Sequence, residues 1–274
     1  MELTIGLTRI WEQFYRPIQY ILLRKKNNAA QLRCLLDRLE KSDDPTKIKA
    51  EEKRFLMSIS PKELVLAMKK LLRKGCDSAK LRRFCSLYSD LIDDRTMMLR
   101  KTLPTGHVIK TLIDEHETIL CLLDDLDFVN QSIQVLRIYD PNRVEFRRLA
   151  HIARQLVCID PHHKREEEIL LPQLEKRGLY GLPMPMHDEH EQIRKYKQKL
   201  LELAEEVERM DFKDFASQLD GVVRFLVPVF QDHIFRINNI MFPTALEAID
   251  DPEIWSQLKQ ECDKIGYCCF SPAE

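Results

Sequence analysis

Histidine is the side chain best suited to bind a metal or carry a proton near neutral pH. The chain has eight, at positions 107, 116, 151, 162, 163, 187, 190 and 233. Four of them fall in apolar stripes with helical spacing. Leu112, His116, Ile119, Leu123 and Leu126 share one face, and Ile159, His162, Glu166 and Ile169 share another. Met186, His190, Ile193, Leu200 and Leu203 form a third stripe; Phe230, His233, Ile237 and Ile240 form a fourth. An imidazole buried without a partner costs about 1–3 kcal/mol. Four of them on four inward faces therefore call for a compensating group. His162 and Glu166 are four residues apart, which puts both side chains on one helix face, one turn apart. Inward imidazoles and carboxylates are how helical bundles build carboxylate-bridged metal sites.

Other reactive residues carry a weaker signal. Cys158 lies one turn before His162, where a thiolate would suit zinc or iron; the plainer reading is a cysteine packed as a small hydrophobe. Cys268 and Cys269 read as solvent-reachable thiols. His107 follows Gly106 at a helix start and reads as a local contact, while His151 and His163 read as outward-facing or packing residues.

The positioning elements are helical. Seven glycines in 274 residues are few for a chain with hairpins and bulges. Residues 1–40 carry helical apolar spacing, Asp44-Pro45 marks a helix start, and Ser60-Pro61-Lys62-Glu63 is a capping box opening a helix that closes at Gly75. Asp77 or Ser78 caps the next helix. Residues 93–106 read as a linker. Four long helices are then predicted: 107–136; 141–176, with Pro161 as a kink; 187–210; and 212–248, with Pro228 as a second kink. A short helix follows from Pro252, capped by Asp251, to Gly266. The expected fold is all-α: an N-terminal helical domain (1–100), an up-down-up-down four-helix bundle (101–250), and a C-terminal helix and tail (251–274).

Composition narrows the function. With 43 Lys and Arg against 44 Asp and Glu, the net charge of −1 gives no basic footprint for nucleic acid and no polybasic membrane anchor. No apolar run reaches the roughly 18 residues of a membrane span. The opening residues carry Glu2 and no basic stretch, so no secretory signal is expected and the reading is cytoplasmic. The eight cysteines are then reduced thiols, and the absence of any CxxC excludes a thioredoxin motif or a zinc ribbon.

One near-repetition stands out: HHKREEEILLP at 162–172 and HIFRINNIMFP at 233–243. Each opens on histidine and reaches proline ten residues later. These segments resemble the second and fourth helices of the hemerythrin-like (HHE) cation-binding family. His116 in DEHETIL and His190 in DEHEQIR resemble the family's first- and third-helix ligands. SPKELVLAMKKLLRKG, the Cys85 helix and LPTGH resemble the helical domain that precedes such bundles in anaerobic bacteria and archaea. WSQLKQECDKIGYC resembles the tail of the same proteins.

The resemblance implies a hemerythrin-like bundle with non-haem iron, and oxygen or nitric oxide as the small gaseous ligand of a sensing or signalling protein. The implied metal ligands are His116, His162, Glu166, His190 and His233, with Glu167 as the near alternative to Glu166. His187, three residues before His190, could serve only with some rotation. The chain departs from the pattern at Ile237, where a second carboxylate is expected, and at Met186, where a further histidine would stand. A mononuclear or degraded di-iron site follows, because the loss of a bridging carboxylate weakens the second ion more than the first. A metal-free helical interaction module is the alternative reading. An iron-dependent stress-response enzyme or iron-delivery factor is a third, though no separate acid, base or nucleophile constellation marks a catalytic residue.

Overall fold

The computed structural model describes residues 30–38, 58–76, 99–179 and 186–271, with isolated positions between 47 and 81. The predicted starts at Asp44-Pro45 and Asp77 or Ser78 lie outside the described residues, as do most of residues 1–40. Among the described residues every regular element is helical. Two compact units are present, an N-terminal one and one that holds the remaining described helices.

In the first unit, Pro61–Arg73 forms an amphipathic helix. Ser60 accepts from the Glu63 amide while the Glu63 carboxylate takes the Ser60 amide, so two otherwise unpaired donors are satisfied. Leu64, Val65, Met68 and Leu71 form its buried stripe.

The second unit is the four-helix bundle. Its first helix is Val108–Gln134. The second begins as Val144–Val157, pauses, and resumes through Asp160–Lys164, a π-helical stretch Arg165–Leu170, and Leu171–Lys176. The third is Met186–Glu206. The fourth is Phe212–Arg236, continued by a second π-helical stretch, Ile237–Met241, and by Phe242–Ala248. Each bundle helix packs on its two neighbours, so the four close into a ring. Residues 135–143 join the first helix to the second and 207–211 the third to the fourth, connections short enough for antiparallel neighbours. Leu123, Leu126, Leu149, Leu156, Leu200, Leu219, Leu226 and Phe230 fill the core.

The caps follow the sequence. His107 takes the first helix's N-cap, its Nδ1 accepting from the Ile109 amide at 3.2 Å. Asp211 accepts from the Lys213 and Asp214 amides. Asp251 and Pro252 open the last helix, Pro252–Ile265, which ends at Gly266 with φ at +90°, a conformation strained for any residue with a Cβ. This helix packs on the first bundle helix and on the π stretch Arg165–Leu170.

One local reading changes at a proline. Pro161 does not kink a continuous helix. The helix stops at the Cys158 cap and restarts at Asp160, with proline in the first turn where its missing amide is harmless. Pro228 sits inside a helix that runs unbroken from Phe212 to Arg236. The π stretches also shift register. Leu170 is fully buried where periodicity of 3.6 had placed Ile169 inward, because the wider turn inserts one residue.

Candidate metal centre

The bundle brings four of the predicted histidines and one carboxylate together at zero to one percent exposure. Nε2 of His116 lies 2.8 Å from Nε2 of His162, and Nε2 of His190 lies 3.0 Å from Nε2 of His233. Glu166 stands between the pairs. Its Oε1 is 3.4 Å from His162 and 3.7 Å from His116; its Oε2 is 3.3 Å from His190 and 3.8 Å from His233. Neither oxygen has an aligned hydrogen bond. The donors thus fall into two trios sharing one carboxylate, His116–His162–Glu166 and Glu166–His190–His233, each with its ligand atoms within 4.8 Å of one another.

The outer nitrogen of every imidazole is engaged. Nδ1 of His162 meets Glu115 at 2.7 Å, Nδ1 of His190 meets Glu167 at 2.7 Å, and Nδ1 of His233 meets Glu189 at 3.1 Å. Nδ1 of His116 meets the Asn238 amide oxygen at 2.7 Å. Carboxylate and amide oxygens only accept, so each of these imidazoles carries a proton on Nδ1 and turns Nε2 inward. Outer carboxylates that fix the tautomer in this way are the usual support of metal-bound histidine.

Three arginines hold these carboxylates, Arg194 meeting Glu167 at 2.9 Å. Arg165, three residues after His162, donates to both oxygens of Glu115 at 2.6 Å, and both side chains are about fully buried. Arg236, three residues after His233, donates to Glu189 at 2.6 Å. Burial pushes the Glu115 carboxyl up, but His162 and Arg165 hold it well below the usual range. Burial likewise opposes ionisation of Glu167, yet His190 and Arg194 bring it down to about 2. Glu166, fully buried, is also held well below its ordinary value by the histidines around it.

The protons within the pairs respond accordingly. His116 is pulled down to about 3, by burial first and then by the charge on His162. His162 is raised, since Glu166 and Glu115 outweigh the cost of burial. His233 is raised to about 9 against the same cost by Glu166 and Glu189. Without a cation, one proton per pair is what keeps two inward lone pairs from facing each other.

A quasi-two-fold pattern organises the centre. Glu115-His116 on the first helix corresponds to Glu189-His190 on the third. His162, Arg165, Glu166 and Glu167 correspond to His233, Arg236, Ile237 and Asn238. The two π stretches begin at Arg165 and Ile237, beside the inward-facing donors. Such turns concentrate at functional sites because they re-aim side chains by one residue. Ile237, buried at 6 % exposure, takes the place that Glu166 has in the other half.

The remaining predicted residues lie elsewhere. Glu167 sits on the outer nitrogen of His190 and on Arg194 at 2.9 Å, not among the inward donors. The His187 side chain is 67 % exposed, 3.8 Å from Glu167. His151 is exposed; His163 is buried and stacks on His190 with ring centroids 4.1 Å apart. Cys158 is half-buried, Cys269 is exposed, and Cys268 is buried rather than solvent-reachable.

Sequence reasoning missed Glu115, Glu189, Arg165, Arg236 and Asn238. Their signal was present as the twice-occurring Asp-Glu-His and His-x-x-Arg. It also passed over Lys197, which lies in the third stripe at 2 % exposure with no hydrogen-bond partner on Nζ.

Orphaned Glu166 oxygens and inward Nε2 lone pairs fit a divalent transition metal, for which imidazole and carboxylate are suitable donors. Comparison with curated proteins finds no match. The family of unknown function DUF438 matches residues 32–97. The hemerythrin HHE cation binding domain matches residues 107–245, half of the chain. With its helical ring, paired histidines and shared carboxylate, the chain belongs to the hemerythrin HHE cation-binding family.

Proposed function

We propose that this protein binds two metal ions, iron in both positions, in one buried centre and uses them to sense oxygen or nitric oxide in the cytoplasm. The residues that would hold one ion are His116, His162 and Glu166 through Oε1. Those for the other are His190, His233 and Glu166 through Oε2. The observation that carries the reading is the His190–His233 contact. Two imidazoles whose outer protons are committed to Glu167 and Glu189 bring their Nε2 atoms within 3.0 Å of each other. That arrangement is repulsive unless a cation or proton lies between them.

Bound iron supplies electron exchange and coordination positions open to a diatomic ligand. The chain's own residues do the rest. Glu115, Glu167, Glu189 and Asn238 fix the tautomers. Arg165 and Arg236 keep two of those carboxylates ionised and in place. The leucine and phenylalanine layer below the centre excludes water, which strengthens each electrostatic contact. With three donors per ion and Ile237 opposite Glu166, the centre keeps more room for exogenous ligands than a set with two carboxylates.

The reading is tested by metal analysis of anaerobically purified protein, with optical spectra before and after exposure to air or nitric oxide. Two irons per chain and a gas-dependent spectral change are expected. Protein that purifies without metal, and takes up no ferrous iron when it is supplied, overturns the proposal in favour of a helical interaction module.

A further inference from the structure

The C-terminal segment adds a layer behind one half of the metal centre. After Gly266 the chain leaves the last helix, and Cys268, 4 % exposed, packs in the bundle core with Phe270 against it. The Ser271 amide donates to the Cys268 carbonyl at 3.0 Å, which closes a turn. That turn puts two further donors on one carboxylate. The Cys268 amide at 3.4 Å and the Ser271 hydroxyl at 2.5 Å both reach Oε1 of Glu115. Oε2 of the same group is the atom 2.7 Å from Nδ1 of His162. Tyr267 lies over the Arg165 guanidinium, 4.6 Å from the ring centroid. The Cys268 thiol, Glu115 and His162 also bring one ligand atom each within 4.8 Å of one another. That trio is not a third metal position, because the Arg165 guanidinium already holds both oxygens of Glu115.

We propose that Ser271 is a positioning residue of the metal centre: through Glu115 it fixes the His162 imidazole, and so makes the His116–His162 half hold its ion more firmly than the His190–His233 half. A carboxylate can turn about its last bond and exchange its two oxygens. Donors on Oε1 remove that freedom and keep Oε2 on His162. Burial strengthens each of these charge-assisted bonds, since the Glu115 side chain is 1 % exposed and Tyr267 covers its arginine. The corresponding carboxylate in the other half, Glu189, is 14 % exposed, meets His233 at 3.1 Å and is held by Arg236. The C-terminal segment is thus a departure from the quasi-two-fold pattern in the outer layer, as Ile237 is in the inner one.

The consequence for metal follows from how an ion is lost. An imidazole leaves its ion by swinging away, and a ring tied at Nδ1 to a fixed carboxylate swings less. The ion on His116, His162 and Glu166 should therefore be the last to leave. This consequence rests on the two-ion reading above. The hold of Ser271 on His162 does not, since it runs through Glu115 and not through an ion. Cys268 and Phe270 anchor the turn in the core independently of the Ser271 hydroxyl, so that hydroxyl can be removed with the segment still in place.

The test compares the full chain with Ser271→Ala and with Ser271→Thr, which keeps the hydroxyl. In the first arm the metal-free proteins carry heavy nitrogen in their histidines, and exchange of the Nδ1 protons with water is followed by NMR. The His162 proton should exchange several-fold faster in Ser271→Ala and at the wild-type rate in Ser271→Thr, with His233 the same in all three. In the second arm the proteins are loaded anaerobically with ferrous iron and challenged with excess chelator. Wild type should lose its ions in a fast and a slow phase. Ser271→Ala should quicken the slow phase by about 10-fold, the low end for loss of outer support, and leave the fast phase unchanged. Glu189→Gln should quicken the fast phase only. A fold merely loosened by the substitution would move both histidine protons, or both phases, together. Such a parallel change, or equal rates in Ser271→Ala and wild type, overturns the proposal. Protein that takes up no iron yet shows the selective change at His162 refutes the two-ion reading and upholds the role of Ser271.

Discussion

His190 and His233 face each other through Nε2 atoms 3.0 Å apart, while each gives its other nitrogen to a carboxylate. The contact is a consequence of the shell behind it. Glu189 is held by Arg236 and Glu167 by Arg194, so neither carboxylate is available to donate a proton back. The same logic applies at His162, where Glu115 is held by Arg165. The outer shell thus decides the chemistry of the inner one, and the cluster is poised to exchange protons for cations. Metal binding should release protons, with apparent affinity rising between pH 6 and 9 as the His162 and His233 protons become easier to displace.

Glu166 is the single residue common to both trios. Replacing it by Gln removes the only anionic donor among the inward side chains and leaves an amide that offers one oxygen where two were used. Metal content after dialysis should fall from two ions per chain to less than one. Wild-type stoichiometry in Glu166→Gln would show that the carboxylate is not a shared ligand.

The outer carboxylates allow a graded test. Glu189→Gln should weaken metal binding by roughly 10–100-fold, the usual effect of removing such support. Glu115→Gln should do the same and in addition destabilise the fold, because Arg165 at 1 % exposure loses its partner charge. Breaking a buried pair from one side costs about 3–5 kcal/mol. Chemical denaturation of metal-free protein separates the two effects. If Glu189→Gln matches Glu115→Gln in stability loss, the greater burial of the first pair carries no weight.

Lys197 provides the pH prediction. Its ammonium is buried without a hydrogen-bond partner, and burial pulls its pKa down to about 8 from near 10.5. A lysine depressed on folding is a penalty that is full below pH 8 and is relieved as pH rises toward 10.5, where the unfolded chain also loses its proton. Lys197→Met, similar in length and apolar, should stabilise the protein by roughly 2–3 kcal/mol at pH 7. The gain should shrink steadily between pH 8 and 10.5. Thermal melts of both proteins across that range check it. A constant difference would mean that the ammonium is not the source of the cost.

The sequence carried the fold and the inward histidines for one reason: helical periodicity places a residue on a face without knowledge of its neighbours. His116, His162, His190 and His233 were legible because each sits in an apolar stripe. The outer shell was not, since Glu115 and Glu189 lie one residue off the stripe and act across the bundle on a different helix. Their roles depend on pairing between helices, which spacing along one helix does not encode. Glu167 was read as a second choice of ligand because one residue of rotation separates it from Glu166, and the π turn settles that rotation. Leu170 replaced Ile169 in the core for the same cause. Lys197 was passed over because its type conflicts with its register position.

Ile237 separates a retuned centre from a decayed one. It takes the place in the fourth helix that Glu166 has in the second, four residues after the ligand histidine and at the start of a π turn. Ile237→Glu restores a carboxylate there. Without metal, that group is buried among the donors of a cluster already holding Glu166, and it lacks a dedicated cation. It should lower stability or take up a proton through a raised pKa. With iron present it becomes a second shared ligand, and iron should bind more tightly and leave fewer positions for gas. A ligand that binds only the folded state adds about 2.7 kcal/mol at a hundred times its dissociation constant. The variant should therefore be less stable than wild type without iron and gain more stability than wild type when iron is added. Its response to nitric oxide should be weaker. Denaturation curves with and without ferrous iron, run anaerobically, give both signs in one experiment. Equal destabilisation in the two conditions would mean that the fourth helix has repacked around Ile237, and that this half of the centre no longer accepts a carboxylate.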